Sequence, residues 1–151
     1  MKLKLFMMLI LVISSVSASS LMVSNAYVRA TPPGVPNSAA FMMLMNNSSE
    51  DVSVVAAASS AAKTLELHTH DMTNGVMRMY QVEKIDVKKN GHTMLQPGGF
   101  HIMFFGLKKP LVDGQNVDLE LTLSNGEKIK LDAPVKKVMS GMNMNMNHGQ
   151  K

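Results

Sequence analysis

Apolar and polar positions alternate most cleanly late in the chain. Val117, Leu119, Leu121 and Leu123 are interleaved with Asp118, Glu120 and Thr122, and Lys128-Ile129-Lys130-Leu131 repeats the pattern. A period of two belongs to a strand that buries one face. Asn125-Gly126 stands between the two runs and tolerates positive φ, which predicts a two-residue hairpin. Shorter runs at 39–45, 52–58, 64–70, 76–80, 85–87 and 93–95 read as further strands. The last two flank Lys89-Asn90-Gly91, a predicted hairpin turn. Thr31-Pro32-Pro33-Gly34-Val35-Pro36 excludes regular structure. No stretch carries a 3.6-residue apolar stripe, although the alanine-rich residues 53–63 leave room for partial helix. The pattern predicts an all-β fold, a Greek-key β-sandwich or barrel of about seven to nine short antiparallel strands.

The two ends differ from this middle. Met1-Lys2-Leu3-Lys4 is a basic start, an apolar run follows to Ile13, and Val16-Ser17-Ala18 supplies small residues for cleavage. That arrangement predicts a signal peptide over residues 1–18 and an exported, periplasmic product, with an apolar run too short to span a bilayer. With no cysteine in the chain, lipid attachment through an N-terminal cysteine is not expected. Residues 19–133 form the expected domain. Residues 134–151, ending in Met139-Ser140-Gly141-Met142-Asn143-Met144-Asn145-Met146-Asn147-His148, form an expected low-complexity, disordered tail.

Composition changes this picture at one point. The chain has sixteen methionines, no cysteine and no tryptophan, and only Met1, Met7 and Met8 fall in the expected leader. Methionine fills core gaps, but not in such numbers in a domain of this size. The net charge of +4 falls by two when Lys2 and Lys4 leave with the leader, too small an excess to argue for nucleic acid or a membrane surface. No nucleophile–base pair, paired acid and base carboxylates or open three-ligand zinc pattern is present, so an enzyme is not expected.

The methionines gain meaning beside the histidines. His101 and Met103 are two apart and project from one face of a strand, while Phe100, Ile102 and Phe104 take the other. His68 and Met79 come from the preceding runs, and Pro97-Gly98-Gly99 precedes His101, where two glycines allow close approach of backbone or ligand. Two neutral imidazoles and two thioethers make a soft donor set. Zinc ordinarily recruits thiolate, carboxylate or more histidine. Calcium and magnesium take oxygen. Thioethers select Cu(I), and an electron-transfer copper centre would need the cysteine this chain lacks.

The spacing His68, ten residues, Met79, twenty-one residues, His101, one residue, Met103 resembles the signature of the PCuAC periplasmic copper chaperones. Gly75-Val76-Met77-Arg78-Met79 and Leu95-Gln96-Pro97-Gly98-Gly99-Phe100-His101-Ile102-Met103 resemble that family's two most recognisable blocks, and Asn25-Ala26-Tyr27-Val28-Arg29-Ala30 its first strand. The resemblance covers roughly residues 22–133. It implies a cupredoxin-like barrel and a primary Cu(I) site at His68, Met79, His101 and Met103. It also implies delivery toward the CuA centre of cytochrome c oxidase subunit II, alongside a thioredoxin-like Sco-type partner.

Around the signature, His70 shares the strand face of His68 as an auxiliary ligand or a solvated neighbour, the second being expected. Met72 and Met77 read as sulfur beside the site or as packing, the second being expected, His92 as exposed, and Met42, Met43 and Met45 as core. In the tail, Met139, Met142, Met144, Met146 and His148 have no apolar partners, which suits capture or hand-off of copper, and the resemblance implies a second copper site there, Cu(I) or Cu(II). The leading function is a Cu(I) metallochaperone. Copper buffering or tolerance without a dedicated acceptor is the alternative, and a metal-free adhesion or assembly module a third.

Overall fold

The computed structural model describes residues 19–137. The expected leader and the tail positions Met139, Met142, Met144, Met146 and His148 lie outside the described residues. Among the described residues there is no helix, and ten strands follow in order. They are β1 (Leu21–Arg29), β2 (Asn37–Asn46), β3 (Val52–Ala58), β4 (Ala62–Thr73), β5 (Val76–Gln81), β6 (Ile85–Val87), β7 (Gly91–Leu95), β8 (His101–Leu107), β9 (Asn116–Leu123) and β10 (Lys128–Lys136). The partial helix allowed over 53–63 is not formed. Val52 and Val54 are core residues, and β3 pairs with β9, so tertiary pairing overrides the helix preference of alanine there.

Hydrogen bonding links the strands in the order β5-β4-β8-β2-β1-β10-β9-β3-β6, with β7 joined to β2, so among the described residues β5 and β6 end the path. Among the ten strands every pairing is antiparallel except β1 with β10, where Val28 lies beside Val135. Ala133 and Val135 are buried, so the last strand continues to Lys136, past the expected boundary at 133. Side chains from both halves of the path, among them Val28, Met42, Leu44, Ile102 and Phe104 with Val54, Leu119 and Leu121, meet in one core. Burial of that apolar surface is the main stabilising term.

A bulge in β1 decides which residues reach the other face of the sheet. Leu21 pairs with Asn46 and Ser24 with Met43, but the register shifts by one before Tyr27 pairs with Phe41. Asn25 takes a positive φ of 53°, a conformation asparagine tolerates better than most residues. Leu21 and Val23 point inward before the bulge, and Val28 points inward after it. Tyr27 and Arg29 are thereby turned outward, as bulges commonly re-aim side chains.

Three turns set the remaining geometry. Asn74 and Gly75, both at positive φ (53° and 75°), close β4 onto β5 as a type I′ hairpin, so β4 runs three residues beyond the expected 64–70. The β9–β10 loop holds three residues rather than the expected two. Gly126 N–H donates to Leu123 O at 3.0 Å and Gly126 alone adopts positive φ, a type I turn followed by a glycine bulge. Residues 88–91 form a tight turn but not a hairpin, because β6 pairs with β3 and β7 with β2. That turn carries the chain from one half of the sheet to the other.

Candidate metal centre

The outer face of β2, β4, β5 and β8 gathers the histidines and methionines singled out by spacing. Antiparallel pairing sets His68 opposite His101, Glu66 opposite Met103 and His70 opposite Met79. Because Leu67, Ile102 and Phe104 are committed to the core, alternation turns His68, His70, His101 and Met103 outward. The site therefore lies on a sheet face, under the turn before β8. A cavity of about 310 Å³ is lined by His70, Met79, His101 and Met103, with Phe41 and Arg29 at its side.

His101 is the best-defined donor. Its residue is 3% exposed, and its Nδ1–H donates to the Gly99 carbonyl at 2.8 Å. A carbonyl can only accept, so in the neutral ring the proton sits on Nδ1 and Nε2 carries a lone pair. That Nε2 faces Met79 Sδ at 3.2 Å. The carbonyl is held by a type II turn: Gly99 N–H donates to Gln96 O at 3.0 Å, Pro97 takes the second position and Gly98 the third at φ 83°. A Cβ on Gly98 would meet nothing within 4 Å. Gly98 is there for its backbone conformation, not for the close approach expected from sequence. Burial is the main cause that holds the His101 imidazole below its usual pKa. The Gly99 hydrogen bond opposes it, and the neighbouring His70, His68 and Arg29 add to the lowering. The ring is thus kept neutral, the form that binds metal.

His68 is 7% exposed and does not line the cavity; its ring lies 5.9 Å from that of His101. Its Nε2–H donates to Glu66 at 2.8 Å, which leaves Nδ1 as the acceptor, and that atom is buried without a partner among the described residues. His70 stacks on His101 at 5.0 Å and is partly buried, not a solvated neighbour, and its Nδ1 is likewise buried and unpartnered. Two orphaned imidazole nitrogens beside a lone pair and a thioether are what a soft cation would satisfy, since buried polar atoms are rarely left unpaired. Among the described residues no three His, Asp or Glu side chains converge to hold a metal ion.

Other residues divide differently from expectation. Met42 is in the core and His92 is exposed, as read from the sequence. Met72 and Met77 are not packing residues: they are 63% and 56% exposed. Arg29 and Phe41, which spacing did not single out, line the cavity, with the guanidinium 5.4 Å from the Phe41 ring. Only the bulge in β1 aims Arg29 there, and Asn25 was the one local signal for it.

The LpqE-like family model matches residues 21–135. The chain belongs to the LpqE-like family. A curated relative of this LpqE-like protein, named as a lipoprotein from Leifsonia xyli subsp. xyli, is 40% identical over 129 residues, which cover 85% of this chain and 76% of the relative. The copper-bound PCuAC domain of PmoF2 superposes with a TM-score of 0.69 at 15% identity, covering 81% of this chain and 97% of that domain. That likeness establishes the fold, all-β and cupredoxin-like. The Cu(I)-bound form of DR1885 from Deinococcus radiodurans is 34% identical with a TM-score of 0.61, over 81% of this chain and 83% of that one.

Proposed function

We propose that this LpqE-like protein is a Cu(I) carrier of the cell envelope, exported to the periplasm, that holds one ion on the outer face of its sheet. The observation that carries the reading is the His101–Met79 pair, with Nε2 and Sδ 3.2 Å apart and the ring's other nitrogen fixed on Gly99. A ligating histidine that donates its second N–H to a backbone carbonyl is the usual arrangement at metal sites. The 34% identical DR1885, in its Cu(I)-bound form, supports the same cargo. Met79, His101 and Met103 supply three donors, and β4 supplies an imidazole, His68 or His70.

All of these ligands are neutral, so binding adds no anionic charge to resist release of a monovalent ion. Met79 is 46% exposed, which opens the site to a partner's ligands. Transfer then proceeds by exchange: an acceptor sulfur or imidazole joins the ion as Met79 leaves. The acceptor in this proposal is the CuA domain of cytochrome c oxidase subunit II, or a thioredoxin-like Sco-type protein that serves it. Copper buffering without an acceptor is the competing role.

The test is anaerobic competition for Cu(I) against a chromophoric chelator, using the full chain and the variants Met103→Ala, His101→Ala, His68→Ala and His70→Ala. Loss of the tight site in the first two, and in one of the last two, supports the assignment and names the β4 ligand. Unchanged affinity in Met103→Ala and His101→Ala refutes it. A deletion strain with low oxidase activity rescued by added copper supports delivery; copper sensitivity with normal oxidase supports buffering.

A further inference from the structure

The β4–β5 hairpin carries soft donors beyond the site just described. Val82 N–H donates to Leu67 O at 2.8 Å, which makes that opposed pair the hydrogen-bonded kind. Alternation then makes His68·Gln81, His70·Met79 and Met72·Met77 the closely spaced kind, with all six side chains on one face of the ribbon. The opposite face is Thr69·Tyr80, Asp71·Arg78 and Thr73·Val76. Thioether and imidazole are therefore segregated onto the cavity side, and oxygen and charge are concentrated on the other.

Met72 and Met77 form the outermost of these rows on the cavity side, one step from the type I′ turn. Among the described residues nothing covers them: they are 63% and 56% exposed, and every residue of β5, the edge strand, is exposed. Two large apolar side chains opposed in solvent contribute little to stability, and edge strands more often carry charge. The row lies about 7 Å along the strand from Met79, within reach of two flexible thioether side chains.

We propose that Met72 and Met77 form a second, weaker Cu(I) site that captures the ion and passes it one row inward. The inference rests on the carrier reading above. The step is an exchange of dative bonds at constant oxidation state: Met79 Sδ and the unprotonated nitrogen of His70 bind the ion as the Met72 and Met77 sulfurs release it. No proton or electron moves. Two sulfurs without an imidazole hold Cu(I) less tightly than the inner set, so the gradient runs inward.

The test compares the full chain with Met72→Leu/Met77→Leu, which keeps apolar bulk and removes only sulfur; Met22→Leu, exposed elsewhere, is the control. Loading is followed by stopped flow on mixing with a coloured Cu(I)–chelator complex, and occupancy by the ¹³C methyl signals of methionine. The expected result is about tenfold slower loading of the double variant, because the local capture site is lost, with unchanged equilibrium affinity of the inner site. In the wild-type chain the Met72 and Met77 methyls shift with the second equivalent of Cu(I). Wild-type loading rates in the double variant, or Met72 and Met77 methyls that stay fixed while Met79 shifts, overturn the hairpin site and leave the carrier reading intact. A wild-type chain whose Met79 methyl and His101 ring do not respond to Cu(I) overturns the carrier reading itself.

Discussion

The two faces of β8 teach opposite lessons from adjacent residues. Ile102 and Phe104 are fully buried against Val28, Met42 and Leu121, all apolar, with no polar atom to satisfy. His101 and Met103, between and beside them, face a small cavity whose donors are only partly satisfied. One face is closed and sets stability. The other is left unfinished and sets chemistry, and the strand's period of two keeps them from interfering.

The sharpest way to break that division is Phe104→Ala. It should lower unfolding free energy by about 3–5 kcal/mol in urea titrations, as large-to-small core changes do, while any folded fraction keeps its metal affinity. Met79→Leu is the reverse case. Stability should stay within about 0.5 kcal/mol because the residue is on an exposed edge, while Cu(I) affinity falls by about two orders of magnitude, some 2.7 kcal/mol. A Met79→Leu chain that binds Cu(I) as tightly as the wild type would erase the contrast.

Gly98→Ala touches both faces weakly. Alanine at φ 83° is strained by about 1–2 kcal/mol, and relief of that strain would move the Gly99 carbonyl. Ring ¹⁵N shifts of His101 should then report a mixture of tautomers in place of a single Nδ1–H form. The smallest effect is that of pH on the metal-free chain. His101 has a folded pKa below the ordinary 6.5, so the unfolded chain takes up the proton first. Its contribution to stability is complete above about 6.5 and declines as pH falls from there toward the lower folded value. Urea titrations at pH 7.5 and 5.5 should show this decline in the wild type and a smaller one in His101→Asn.

Much of this was legible in the alternation of residues. Val52–Ala58 and Ile85–Val87 match their strands, and the committed core residues Ile102 and Phe104 fix the outward direction of His101 and Met103. What was hidden depends on rotation and partner choice, which spacing does not encode. The same Lys89-Asn90-Gly91 turn chemistry serves a hairpin or a crossing between sheet halves, and only the partners of β6 and β7 distinguish them. His68 and His70 share a face by period, but which of them lines the cavity follows from the Glu66 hydrogen bond and the stacking on His101. The fate of Arg29 hung on one extra residue in β1.

The donors also differ in how firmly their strands are anchored. His101 and Met103 sit on β8, which is hydrogen-bonded on both sides, by β4 and β2, whereas Met79 sits on β5 at the margin of the sheet, with β4 as its sole neighbour among the described residues. Segments with few buried contacts open at free energies far below that of global unfolding. The centre is therefore built like a hinged clasp: peeling residues 76–81 away would withdraw one jaw while the other stays fixed in the core. Amide exchange should be fastest along that strand, and the lifetime of a held ion would then be governed by fraying of an edge, not by the strength of the whole fold.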